Sequence, residues 1–154
     1  MRASPRISNQ RGPANDVARP APGPSLEAQL GAAAQRIRRH TLAAIFHAGS
    51  GHPGGALSCA DLLACLYGAE MNVWPHGIDD PARDRFVLSK GHAAPALYAA
   101  GAEFGFCDPK DALALRKLGS KFQGHPHVLD LPFVETSPAR WARASPSPWA
   151  WRWA

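Results

Sequence analysis

The sequence predicts an α/β domain: a parallel sheet with flanking helices. Three features predict it. Apolar residues recur at helical spacing between Leu26 and Ile45, the run "RFVLS" at 85–89 is β-branched and aromatic, and a second helical stretch follows that run at once. Strand alternating with helix is the pattern of helices covering a parallel sheet. At 154 residues the chain suffices for one modest domain around one core.

The elements follow in order. Residues 1–24, "MRASPRISNQRGPANDVARPAPGP", have no apolar periodicity. They cannot bury enough surface to offset chain entropy and read as a disordered leader. Ser25 is placed to N-cap a helix running to about Ala48, with Leu26, Leu30, Ala33, Ile37, Thr41 and Ile45 along one face. Gly49 and Gly51 stop it, and a Gly-rich turn, "GSGHPGG", follows. "SCAD" at 58–61 has the form of a capping box opening a short apolar helix through Tyr67. "WPHGIDDPARD" reads as a loop and "RFVLS" as a short buried strand. "KGHAAPALYAAGAEFG" reads as a turn and a helix, with Pro95 near its start, where proline is tolerated. "DPKDALALRKLG" is a further helix with proline at its first position, and "SKFQGHPHVLDLPFVETS" is loop-like.

Charge and cysteines exclude several classes. The net charge is +5, but residues 1–25 carry four arginines against one aspartate, and residues 138–154 carry three arginines and no acid. The middle holds ten Lys/Arg and eleven Asp/Glu, so it is nearly neutral and offers no basic face for nucleic acid. Cys59, Cys65 and Cys107 form no C-x-x-C pair, so neither a disulfide framework nor a zinc cage is expected. They read as small hydrophobes in a reducing cytoplasm. No stretch approaches the roughly 20 apolar residues of a membrane helix, and no secretory h-region opens the chain.

Three Gly-His steps stand out: Gly51-His52, Gly91-His92 and Gly124-His125. Each falls in an expected loop. Glycine lets a ligand approach the backbone, and histidine exchanges protons near neutral pH. A loop histidine alone is equally well an exposed or structural residue, and the spacing fits no standard zinc pattern. Gly91-His92 has added context. It lies between an expected strand and a helix, where helix N-terminal amides receive phosphate.

Longer strings carry more. "SGHPGGALSCADLLACLY", "RDRFVLSKGHAAPALYAA" and "LRKLGSKFQGHP" together resemble the N-terminal part of the transketolase family, over about Gln35 to Ser137. "LSKGHAAPALY" and "SGHPGGALS" are most similar to the split type, whose two halves are separate polypeptides. The resemblance implies an enzyme of pentose phosphate metabolism that moves a two-carbon ketol unit from a ketose phosphate to an aldose phosphate. Thiamine diphosphate held by Mg2+ or Ca2+ is the implied cofactor, and it takes up the electrons of the broken bond. His52 is implied at the reactive carbon of the cofactor, in proton transfer at the substrate carbonyl. His125 is implied at the donor sugar's first hydroxyl, which makes His52 and His125 the catalytic and substrate-binding pair. His92, with Gly91, is implied at the cofactor diphosphate. The implied partners are sugar phosphates and a separate C-terminal subunit, in an oligomer, with no nucleic acid and no membrane.

The match has gaps. The family's Gly-Asp-Gly metal motif is not in these 154 residues, and its activating glutamate belongs to the C-terminal half. Residues 25–137 are therefore expected to be only the beginning of that thiamine diphosphate binding α/β domain, with an incomplete sheet, and the chain alone to be inactive. The alternative is a non-catalytic α/β interaction module derived from such a fragment. Four of the five tryptophans fall in residues 138–154, "PARWARASPSPWAWRWA". Read one base earlier, each Trp-Ala join becomes a glycine codon. Permitted codons then give "TGSLGQGFSVAVGMALG", the family's Gly-rich continuation. Residues 138–154 therefore read as out-of-frame translation, against the alternative of an amphipathic Trp-rich tail.

Overall fold

A computed structural model describes residues 24–137. The expectations for the leader and for the Trp-rich tail lie outside those residues. Helix α1 (Leu26–Ala48) starts where the sequence places its cap: the Ser25 hydroxyl accepts from the Ala28 amide at 3.2 Å. Such a cap is worth about 1 kcal/mol. The helix ends at Gly49, whose φ of +61° few other residues adopt comfortably. Its buried face consists of Ala33, Ala34, Ile37, Thr41 and Ala44, whereas Leu26 at the expected head of the stripe is 47% exposed.

Two short helices follow, α2 (Pro53–Leu57) and α3 (Ala60–Cys65), and α3 continues into a π-helical turn at Leu66–Glu70. The expected capping box at 58–61 does not form. Ser58 closes α2, and its hydroxyl donates to the Gly55 carbonyl at 3.1 Å. Asp61 instead receives both guanidinium nitrogens of Arg38 on α1, one of them at 3.0 Å. A two-pronged, charge-assisted bond outcompetes a neutral cap. Arg38 also holds the Asp61 carboxyl below its ordinary range.

The expected strand at 85–89 is absent, and with it the expected parallel sheet: the described residues contain no strand. A strand exists only by pairing, and the amides of 85–88 find no backbone acceptor among the described residues. The run is anchored just upstream, where the Asp84 amide donates to the Asn72 carbonyl at 3.0 Å and the Asn72 amide to the Asp84 carboxylate at 2.7 Å. Within residues 24–137 the architecture is helices and turns.

A 3-10 turn at Gly91–Ala93 leads into helix α4 (Ala94–Glu103), with Pro95 in its first turn as expected. Helix α5 (Pro109–Ala112) is a single turn capped by the Asp108 carboxylate, which accepts from the Lys110 amide at 2.8 Å. The longer helix expected there breaks because tertiary bonds take over. The Arg116 amide donates to the Phe122 carbonyl at 2.8 Å, Arg116 adopts φ +60°, and Leu115 goes into the core.

Helix α4 is the centre of the core. Every residue from Ala94 to Gly101 is buried, and α1, α3 and α5 pack against it. A Cβ on Gly101 would stand 2.7 Å from the Phe133 ring, so the glycine is where that ring crosses the helix. The Tyr98 hydroxyl donates to the Gln123 carbonyl at 2.9 Å, and its ring meets Phe122 edge-on with centroids 5.1 Å apart. A second aromatic group gathers around Tyr67, whose ring contacts Phe86, Phe104 and Phe106. Burial pushes both tyrosine hydroxyls well above their ordinary pKa.

Ion pairs tie the periphery. Arg36 on α1 grips Glu103 at the end of α4, at 2.6–3.0 Å. Arg83, with a side chain only 4% exposed, donates to the Ile78 carbonyl at 2.5 Å, to the Asp84 carbonyl at 3.1 Å and to Glu135. Arg85 reaches the other Glu135 oxygen at 2.8 Å.

This packing makes two glycines respond in opposite directions. Gly101→Leu forces a side chain into the Phe133 ring and should destabilise the chain by about 1–3 kcal/mol, as overpacking does. Gly31→Ala, on the exposed face of α1 with nothing within 4 Å of the new Cβ, should stabilise it by about 0.5–1 kcal/mol. Denaturant titration of both variants checks this, and equal midpoints would refute it. A further prediction concerns Cys107. Burial first, then Asp111 and Asp108, push its thiol from about 9 to about 12. The unfolded chain therefore releases this proton earlier than the folded one. The associated stability is whole below the ordinary value and is lost as pH rises toward the folded value. Between about pH 9 and about pH 11, wild type should lose more stability than Cys107→Ala. Parallel pH profiles for the two proteins would contradict this.

Candidate cofactor and substrate site

The first Gly-His step turns the chain out of α1 and into α2. Gly51 has φ +146°, and a Cβ there would meet the Ile45 side chain at 3.0 Å. Glycine is required on both counts, for conformation and for room. His52 follows at the N-cap position of α2, and Pro53 presets the first helical φ. The second Gly-His step lies in the 3-10 turn before α4, with Gly91 and Ala93 buried and His92 exposed.

The fold brings these two histidines together. Their ring centroids are 5.7 Å apart and the rings are nearly perpendicular, at 89°. Gly55, one turn into α2, is the surface on which His92 rests: a Cβ at Gly55 would be 2.9 Å from His92 Nε2. Lys90 closes the junction, its ammonium donating to the Gly55 carbonyl and to the Ser58 hydroxyl oxygen, each at 3.3 Å. Among the described residues no carboxylate pairs with Lys90.

His125 is not part of that pair, and no ring contact joins it to His52 or His92 among the described residues. It is an exposed loop residue between Gly124 and the buried Pro126. Its loop is nevertheless fastened to α4, through the bond from Tyr98 to the Gln123 carbonyl. The helix that starts just beyond His92 thus also supports the loop of His125.

The donor set suits an anionic ligand. The donors are the imidazoles of His52 and His92, because the Ala93 and Ala94 amides at the start of α4 already donate to the Lys90 and Gly91 carbonyls and Pro95 has no N–H. A divalent cation is another matter. Among the described residues no group of three or more His, Cys, Asp or Glu side chains could hold a metal ion. No helix among them is long and apolar enough to cross a membrane. Sequence reading missed the roles of Lys90, Gly55 and Ser58. The lysine was visible in "SKGHA", but its acceptors lie 35 and 32 residues away in the chain.

A family model described as the transketolase, thiamine diphosphate binding domain matches residues 30–139. Transketolase of Homo sapiens is 46% identical over 93 residues, covering 60% of this chain and 15% of that protein. The mouse transketolase shows the same identity and coverage. An apulose-4-phosphate transketolase subunit from Phocaeicola vulgatus is 37% identical over 103 residues, covering 67% of this chain and 36% of that polypeptide. The chain therefore spans about 15% of the length of the full transketolases it matches. With 30–139 matched and two of the three Gly-His steps meeting at one junction, the chain belongs to the family of transketolase thiamine diphosphate binding domains.

Proposed function

We propose that residues 24–137 are part of the cofactor domain of a ketol transferase, one that moves a two-carbon unit from a ketose phosphate to an aldose phosphate. The observation that carries this reading is the junction of His52 and His92 at 5.7 Å within a chain of this family. Thiamine diphosphate, when bound, supplies the electron sink for breaking and making the carbon–carbon bond. The chain's own residues orient groups and move protons. His92, at the turn before α4, donates an imidazole N–H to a diphosphate oxygen, with Gly91 giving the turn its close backbone. His52, across the junction, holds or returns a proton at the sugar carbonyl oxygen. His125 hydrogen-bonds a sugar hydroxyl and orients the substrate from the loop fastened to Tyr98. Reacting groups held from several sides lose little freedom on the way to reaction.

The remaining parts come from elsewhere. The metal ion, Mg2+ or Ca2+, takes its ligands outside residues 24–137. A separate C-terminal subunit completes the site in an oligomer, a reading supported by the likeness to a protein named as one subunit of a transketolase. The unpaired run 85–89 is a strand of the domain's parallel sheet once neighbouring strands are present. The assembly works in the cytoplasm.

The 154-residue chain by itself should give no turnover with xylulose 5-phosphate, ribose 5-phosphate, thiamine diphosphate and magnesium in a coupled assay. Turnover above background would overturn the division of the site between polypeptides. In the complex with the matching C-terminal subunit, His92→Ala should weaken thiamine diphosphate binding about 10- to 100-fold, the loss of one charged hydrogen bond. His52→Ala should lower kcat by about 100-fold or more at saturating cofactor, the scale of one proton-transfer group. Equal loss of cofactor affinity in both variants would overturn the separate roles.

A further inference from the structure

We infer that Lys90 is a positioning residue: it locks the Gly55 peptide so that the two Gly-His turns close on each other and present His52 and His92 as a pair. The inference deepens the functional reading and rests on it for the importance of the pair. Its physical basis is separate.

Three side chains converge on one carbonyl. The Gly55 oxygen accepts from the Ser58 hydroxyl at 3.1 Å, from the Cys59 thiol at 3.2 Å and from the Lys90 ammonium at 3.3 Å. Ser58 and Cys59 are local, one helical turn ahead. Lys90 is the donor that comes from the other half of the site. It also donates to Ser58 Oγ, so ammonium, hydroxyl and carbonyl form a closed triangle of bonds. The plane of the Gly55 peptide is thereby set.

That peptide controls His92. The ring lies against the Gly55 α-carbon, where a Cβ would be 2.9 Å from Nε2. Lys90 and His92 are two residues apart in one turn. The turn therefore grips Gly55 twice, by a charged hydrogen bond to its oxygen and by a ring against its carbon. His52 is three residues before Gly55, at the start of the same short helix. A short helix carries little stability of its own, so its placement depends on such cross-links. Without Lys90, α2 keeps its local bonds but loses its polar tie to the turn that carries His92.

The test uses the full 154-residue chain with ring-labelled histidines, assigned through His52→Gln and His92→Gln, and needs no cofactor. The wild-type chain should show a proton cross-peak between the His52 and His92 rings. In Lys90→Met the cross-peak should be lost while the Tyr98–Phe122 ring contacts of the core persist. Lys90→Arg, which keeps a long cationic donor, should restore it. If Lys90→Met does not fold, Ser58→Ala decides, because it removes one exposed hydroxyl and one side of the triangle. A weakened cross-peak there supports the inference. An unchanged cross-peak in folded Lys90→Met, or in Ser58→Ala where that variant decides, overturns it, as does its absence from wild type. A titration of the same samples with inorganic pyrophosphate separates a rival role. Weaker pyrophosphate binding in Lys90→Met with the cross-peak intact would make Lys90 a direct anion ligand and overturn the tether. Failure of the complete enzyme to bind thiamine diphosphate would refute the functional reading and leave the ring-proximity result standing.

Discussion

From Ala94 to Gly101 every residue is buried, and five of the eight are Ala or Gly. A helix buried all round must be narrow if neighbours are to reach it from several sides. α4 meets that constraint with small residues, so α1, α3 and α5 all come against it and the Phe133 ring lies directly on Gly101. The larger side chains of this helix, Leu97 and Tyr98, complete the contact, and the polar end of Tyr98 finds the Gln123 carbonyl. Buried apolar area of this kind contributes roughly 25 cal/mol per Å2. Buried contacts from three other helices therefore converge on this one.

The site inherits its rigidity from that arrangement. The turn carrying Gly91 and His92 runs straight into α4, so the start of the best-packed helix is also the footing of a candidate site histidine. The loop of His125 is tied to the same helix from the other end of the sequence. His52 is different. It depends on α2, a helix of five residues that leans on α1, on α4 and on the turn before α4. The chain thus holds two histidines through its core helix and the third through a short helix cross-linked by Lys90.

Electrostatics contributes in two distinct ways. Arg36–Glu103 and Arg38–Asp61 join helices at the surface, where ion pairs are worth little individually. Arg83–Glu135 is enclosed, with side chains 4% and 10% exposed. An enclosed pair gains little over an apolar replacement but is costly to break, because removing one partner strands the other. Arg83 also binds the Ile78 and Asp84 carbonyls, and Arg85 shares Glu135. Through Arg83 and Arg85 this cluster ties the start of the 84–88 run to Glu135 although no ladder among the described residues does so.

Local rules sufficed where the signal was short in range. Ser25 and Gly49 bound α1, Pro95 sits in the first turn of α4, and Asp108 with Pro109 opens α5, each by chemistry contained within four or five residues. The Gly-His steps were also legible, because glycine and histidine have few reasons to recur together in loops. Long-range competition decided the rest. Asp61 left its expected cap for Arg38, α5 stopped short so that Leu115 could be buried, and "RFVLS" stayed unpaired because a strand is a property of two segments. The sequence by itself determined both ends of α1, the candidate Gly-His steps and the family. Only tertiary structure decided that His52 and His92 face each other and that Lys90 reaches Gly55. Those contacts join residues 35 or more positions apart, and no local preference encodes which distant carbonyl an ammonium will meet.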